Sequence, residues 1–435
     1  MLNQLRQRRT AVFGLALLAF IGGLVTGRGI FYNLAYLLGL LLIISFLWAW
    51  VSITGVHLSR ATRVRRTQVG RPLDERFTVH NTTIVPKLWL EVRDHSNVPA
   101  HQTSHVVNNL RPKQTYTWRI ATVCRERGRY RLGPITLRTS DPFGLFTMER
   151  HLPATSNVVI YPLTYDIHQF ALPVGILPGG DSLRRRTHYV TTNASGVRDY
   201  APGDSFSRIH WPSTARRDRM IVKEFELDPL ADIWIVPDMA VFGHVAASQA
   251  MRDKQGRQSE SLPEWMKGEQ FSLPETTEEY TVTAAASIAQ YFLRHDRAVG
   301  MLAYGQSNEL VQPDRGERQL TRILETLAVL RAEGQLPVDD MLHAESHLFP
   351  RGTTVIVVTP TNQESWGSSA RHLARRGLRV VTILIDPESF GARQSNAGLA
   401  TMLHGNGMAA YRICCGDDLT AVLSQGRAKS GAFLT

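Results

Sequence analysis

Cysteine is scarce in this chain of 435 residues: only Cys124, Cys414 and Cys415 occur. An odd, low count without paired spacing excludes a disulfide framework and a Cys-rich zinc site, and it suits a reducing compartment. Acidic residues are missing from the N-terminal stretch, where nine arginines precede the first acid, Asp74. Beyond Arg71, 40 basic residues face 38 acidic ones, so the net charge of +11 belongs mostly to the first 71 residues. Basicity spread over a folded face, the footprint of nucleic-acid binding, is therefore lacking. GxSxG, HExxH and Walker A patterns are also lacking. With 43% hydrophobic and 20% charged residues, the chain has a globular composition.

Two long uncharged runs stand near the start. Residues 11–27 would cover roughly 26 Å as a helix, just under the hydrocarbon thickness of a bilayer, and residues 30–53 span it comfortably. Only Arg28 and Gly29 separate them, so the spacing predicts an antiparallel transmembrane hairpin over 1–59. Arg6, Arg8 and Arg9 precede it, and Arg60, Arg63, Arg65, Arg66 and Arg71 follow it. By the positive-inside bias both flanks are cytoplasmic, which puts both termini and the soluble mass on that side. A cleaved signal peptide is the competing reading. The second uncharged span and the five arginines after it argue against export.

From residue 60 to 165 the hydrophobic period becomes two, as in Phe77 and Val79 and in Leu88, Leu90 and Val92. Further strand-like runs at 116–123, 130–137 and 157–161 predict a β-sandwich. His95, His101 and His105 have unmatched spacings and are expected to be solvated loop histidines rather than metal ligands. The stretches RGRYRLGP (127–134) and DPFGLF (141–146) put Gly and Pro at sharp reversals, as structural corners.

Residues 166–227 join this domain to the next. Between Asp181 and Lys223 eight Arg and one Lys face four Asp, the one basic patch outside the anchor. Asp204 is placed to cap a short helix carrying Arg208, Trp211 supplies a large anchor, and 220–225 reads as a strand. The expectation is a partner-docking face or an Arg–Asp network that fixes the segment. Its candidate residues are Gly196, Arg198, Tyr200, Gly203, Asp204, Arg208, Trp211, Arg216, Lys223 and Glu224. No Gly-rich phosphate loop accompanies the arginines.

Over 228–435 strands and helices alternate, and unbroken apolar runs such as VIVV and VVTILI predict a doubly wound α/β domain with a parallel sheet. Its first strand ends at Asp238, which invites comparison with the metal site of the von Willebrand factor A domain, built on Asp-x-Ser-x-Ser. Here Ala240 and Phe242 occupy the serine positions, and the strand from Thr353 ends in Thr359, able to supply a hydroxyl but no carboxylate. No metal or other cofactor is expected at this degenerate site. Residues 243–275 read as a polar surface insertion on the same edge. Cys124, Cys414 and Cys415 lie in no nucleophile motif.

The RGRYRLGP and DPFGLF stretches, GVRDY (196–200), Pro202-Gly203-Asp204, Arg208-Ile209, Trp211, Ser213, Ala215-Arg216 and Val222-Lys223-Glu224, followed by the Asp238 strand, resemble the bacterial and archaeal domain of unknown function 58 family. The two spans and the helix ending LETLAVL extend the resemblance. It implies a membrane-anchored protein with a von Willebrand A-like domain, associated with a MoxR-type AAA+ ATPase and in some cases a transglutaminase-like membrane protein. The expected function is a noncatalytic adaptor or scaffold. Metal-dependent ligand binding is the alternative, and an enzyme of unrecognised class a further one.

Overall fold

The computed structural model describes residues 2–101, 103–153, 155–170, 194–200, 209–225, 232–246 and 273–424. The chain divides into two compact units, the first built on Met1–Leu163 and the second on most of the remaining residues.

The first unit opens with helices α1 (Leu2–Thr26) and α2 (Gly29–Ile53), separated by Gly27 and Arg28. Both are long and apolar enough to cross a membrane. They pack tightly because Gly22 and Gly23 lack side chains: a Cβ there would stand 3.3 Å from the Phe31 ring and 3.1 Å from the Tyr32 ring. Ten strands come next: β1 (Val56–Thr62), β2 (Arg66–Gln68), β3 (Pro72–Asn81), β4 (Lys87–Asp94), β5 (His105–Leu110), β6 (Thr115–Val123), β7 (Gly128–Leu132), β8 (Ile135–Ser140), β9 (Thr147–Leu152) and β10 (Ser156–Tyr161). They form sheets ordered β1-β3-β6, β5-β4-β8-β9 and β2-β10-β7. The run expected as one strand over 130–137 is two, because Gly133 adopts φ +82° before Pro134 and breaks the ladder.

Side-chain parity builds the core. Along β3 the buried residues are Leu73, Glu75, Phe77, Val79 and Asn81, every second position. Phe77, Val79 and Trp118 from one sheet meet Leu90, Val92 and Leu137 from another in a single cluster. Each such side chain contributes about 1.5–3 kcal/mol by leaving water. The same parity turns the polar Glu75 and Asn81 inward, and both require partners there.

In the second unit β11 (Ala194–Asp199) pairs antiparallel with β12 (Ile221–Phe225), with α3 (Trp211–Arg217) between them in sequence. The larger sheet comprises β13 (Ile233–Pro237), β14 (Val299–Tyr304), β15 (Asn308–Asp314), β16 (Thr354–Thr359), β17 (Arg379–Ile385) and β18 (Ala409–Ile413), ordered β15-β14-β13-β16-β17-β18. Neighbours are parallel except the edge strand β15. The helices are α4 (Thr277–Arg294), α5 (Glu317–Val329), α6 (Val338–Ala344), α7 (Ser365–Arg375), α8 (Ala397–Gly405) and α9 (Leu419–Ser424). α4 starts at Thr276, whose hydroxyl accepts from Glu279 N at 3.2 Å, and carries Glu278 and Glu279 in its first turn. It packs across β13, β14, β16 and β17. Trp234, Val236, Val355 and Val357 share a core with Trp366 and Leu373 of α7 and with Leu399 and Leu403 of α8. Strand carboxyl ends therefore gather Asp238, Thr359 and Asp386 along one edge.

Candidate functional site

The motif hairpin is held by its backbone. Gly196 opposes Glu224, Val197 opposes Lys223 and Arg198 opposes Val222, with a register shift between Ala194 and Gly196. Tyr200 N donates to Met220 O at 2.9 Å and His210 N to Ile221 O at 2.8 Å. Ile209, buried, bridges Val222. Asp199 accepts from Arg219 Nη1 at 2.9 Å, one exposed Arg–Asp pair of the kind foreseen. Gly203, Asp204 and Arg208 lie outside the described residues.

Trp211, expected to supply a large anchor, stands at the surface. It opens α3 directly ahead of Pro212, and no residue of α3 is buried. Trp211 is 64% exposed. Arg216 and Arg217 in the last turn of α3 are also exposed. α3 is held at its middle and first turn, by Ile221 N donating to the Thr214 hydroxyl at 3.1 Å and by the His210 ring–Ser213 hydroxyl contact at 2.6 Å.

At the carboxyl edge of the large sheet Asp238 is buried between β13 and β16. Its Oδ2 accepts from the Thr359 hydroxyl at 2.6 Å and its Oδ1 from Ala240 N at 3.1 Å. Thr359 Oγ1 in turn accepts from Thr361 N at 3.0 Å. Burial pushes the Asp238 carboxyl up, against the opposing pull of the Thr359 hydroxyl and Ala240 N–H. Ala240 is buried and supplies no oxygen side chain, while Phe242 points outward at 73% exposure. The loop is closed further by Gly334, where a Cβ would lie 2.1 Å from Tyr304 O. A hydroxyl donor thus engages the carboxylate from the strand where a cation ligand would be expected. Farther along, Asp386 pairs with Arg412 and accepts from Ser395 Oγ at 3.0 Å.

A polar centre in the first unit was not foreseen. His101, expected to be a solvated loop residue, has a wholly buried side chain. Its Nε2 lies 3.0 Å from Glu75 Oε2 and 3.4 Å from Asp94 Oδ2, and its Nδ1 lies 2.8 Å from the Thr122 hydroxyl. Arg60 donates from Nε and Nη2 to the two Glu75 oxygens, both at 2.8 Å, and from Nη2 to Asp94 Oδ2 at 2.9 Å. Among the described residues, Glu75, Asp94 and His101 form a group close enough to hold a metal ion. The donor set fits a cation poorly. Asp94 Oδ2 already accepts from Arg60, Ser96 and Thr103, and the guanidinium supplies the positive charge. Burial alone would raise the Asp94 carboxyl, but the imidazole of His101, the Ser96 hydroxyl and the Arg60 charge hold it down to about 2. Glu75 is lowered against burial by His101 and Arg60. His101 is raised against burial by Asp94 and Glu75. Two carboxylates therefore balance two cations once His101 is protonated. The parity of Glu75 with Phe77 was the available signal.

Cys124 and Cys414 offer no activated thiolate. Burial pushes the Cys124 thiol up to about 11, and it pushes Cys414 up as well.

These motifs have counterparts in known proteins. The model of the family described as protein of unknown function DUF58 matches residues 196–260, which hold the β11–β12 hairpin, α3 and the Asp238 strand. The DUF58 resemblance is carried by that segment. Within that setting, the chain is similar to the uncharacterized protein YeaD of Bacillus subtilis (strain 168), 23% identical over 279 residues. The match covers 63% of this chain and 59% of YeaD. Among solved structures, partial likenesses covering 24% of this chain occur in the CARDB domain of the PF1109 protein from Pyrococcus furiosus, in complex with di-metal ions, and in a β-glucosidase from Listeria innocua. The first has 16% identity, 86% coverage of that chain and a TM-score of 0.19; the second has 13%, 16% and 0.17. Neither likeness carries an argument here.

Proposed function

We propose that this protein is a membrane-anchored, noncatalytic interaction protein whose motif hairpin is the docking face for a partner, an AAA+ ATPase of the MoxR type. The observation that carries the reading is Trp211. A large aromatic 64% exposed, on a short helix that also carries the exposed Arg216 and has no fully buried residue, has the composition of an interface hot spot. In this reading α1 and α2 are a transmembrane hairpin with both soluble units cytoplasmic. The first unit serves as a β-sandwich spacer, and the second is a von Willebrand A-like domain whose metal site has been replaced by the Asp238–Thr359 hydrogen bond. Photo-crosslinking of the full chain in native membranes, with the crosslinker near Trp211, tests it. Enrichment of an AAA+ ATPase is expected, and repeated capture without any ATPase would remove the partner assignment.

Metal-dependent ligand binding is the second reading, favoured only by the position of Asp238 at a sheet carboxyl end. Calorimetric titration with magnesium or manganese is expected to show no tight binding; a micromolar isotherm abolished by Asp238→Asn would favour it instead.

A further inference from the structure

Both β8 and β9 pack against α2, so the turn joining them, Asp141–Phe146, runs beside that helix. Asp141 closes the turn: its carboxylate accepts from Phe143 N at 3.0 Å and from Phe146 N at 2.7 Å. The Phe146 ring meets Phe46 of α2 edge-on, with 5.6 Å between centroids. Phe46 lies seven residues before the helix end at Ile53, about 10 Å back along the axis at about 1.5 Å per residue. It also lies on the apolar side of Trp48 and Trp50, residues of the type that sits at headgroup level. At the tip of this turn Phe143 is 57% exposed.

A second turn is fastened to the same helix end. Thr82 donates from N and from Oγ1 to Gly55 O, both at 2.8 Å. Buried Lys87 donates to Val51 O at 2.7 Å and to Thr54 O at 3.2 Å, capping the carboxyl end of α2. Buried Asn81 donates to Val85 O, Leu110 O and Arg111 O, which ties the 82–86 and 111–114 turns together. Ile84 at one tip is 82% exposed, and Arg111 and Lys113 are exposed beside it.

Single exposed apolar side chains need no explanation. These share one end of the unit, and that end is fixed to a helix whose outward residues Ile43, Ile44 and Leu47 are apolar and exposed. We infer that this end is a lipid-contact surface. Phe143 and Ile84 enter the interface of the bilayer that holds α1 and α2, while Arg111 and Lys113 meet its anionic headgroups. The inference rests on the reading of α1 and α2 as membrane spans. Its consequence is mechanical: with only Thr54 and Gly55 between α2 and β1, the first unit stands at a fixed height and tilt rather than swinging on a tether.

The test uses the full chain in nanodiscs of phosphatidylethanolamine and phosphatidylglycerol, with Cys414 and Cys415 replaced by Ser and Cys124 left in place. Nitroxides are attached singly at Phe143→Cys, Ile84→Cys, Leu40→Cys within α2, and Ala61→Cys, about 20 Å up β1 by strand rise. Accessibility to oxygen and to a water-soluble nickel chelate is then compared. The oxygen-to-nickel ratio is expected to be severalfold higher at Phe143 and Ile84 than at Ala61, approaching Leu40, and to fall in discs of phosphatidylcholine alone. A lipid-like Leu40 with water-like tips would overturn the contact and leave the anchor standing. A water-like Leu40 would overturn the anchor and the contact together. Tips shielded from both reagents would mean that another protein covers them, which also overturns the proposal. Equal ratios in anionic and neutral discs would remove Arg111 and Lys113 from the contact.

Discussion

Two of the buried acidic centres, those around Arg60 and Asp238, meet the same difficulty by opposite means. Around Arg60 the charges are kept and paired: Glu75 and Asp94 are held low because a guanidinium and the His101 ring face them. Around Asp238 the surroundings are a hydroxyl and a backbone N–H, and the carboxyl is driven up toward its neutral form. Neither arrangement offers a cation the open oxygen set it needs. An acidic residue at a sheet edge is thus a poor guide to a metal site until the donors around it are counted.

Substitutions at Arg60, Thr359 and His101 separate these two modes. Arg60→Met should have the largest effect, about 3–5 kcal/mol of lost stability, because it strands two buried carboxylates. Equilibrium urea unfolding measures it, and a loss near that of a surface mutant would mean the cluster is hydrated. Thr359→Val should cost about 1–3 kcal/mol by leaving Asp238 short of a donor, whereas Thr359→Ser should retain most of the stability. If valine were neutral, the closed-site description would be wrong.

The pH response should distinguish the centres next. His101 is raised in the folded state, so its contribution is complete below the ordinary histidine value and disappears as pH rises through the folded value. Glu75 and Asp94 are lowered, so theirs is complete above the ordinary carboxylate range and lost on acidification, for Asp94 toward pH about 2. The cluster is therefore strongest between those limits, at mildly acidic pH. His101→Gln should flatten the alkaline fall in melting temperature relative to the wild type; parallel curves would deny His101 its charge. Trp211→Ala should change stability least, by less than about 0.5 kcal/mol, because the side chain is 64% exposed.

Periodicity decided which elements were legible in the sequence. Two uncharged runs near the start marked α1 and α2, alternation marked β3 and β4, and the VIVV and VVTILI runs marked β16 and β17, which pair in parallel. Short elements lacking a full period escaped notice: α6, α8 and the antiparallel edge strand β15. α5 stops at Val329, one residue before the end of the LETLAVL run. The charge cluster was hidden because Arg60, Glu75, Asp94 and His101 come from β1, β3, β4 and a loop beyond β4, elements of two sheets that only tertiary packing brings together. Trp211 misled in the other direction. Size and hydrophobicity argue for burial, but nothing in one sequence says whether a layer covers the residue.

The exposed tryptophan therefore carries the central claim. Native-membrane crosslinking should be run side by side on the wild-type full chain and on Trp211→Ala, with melting curves for both. The account predicts that an AAA+ ATPase is recovered with the wild type and lost with the variant at an unchanged melting temperature. Undiminished capture by Trp211→Ala would contradict it.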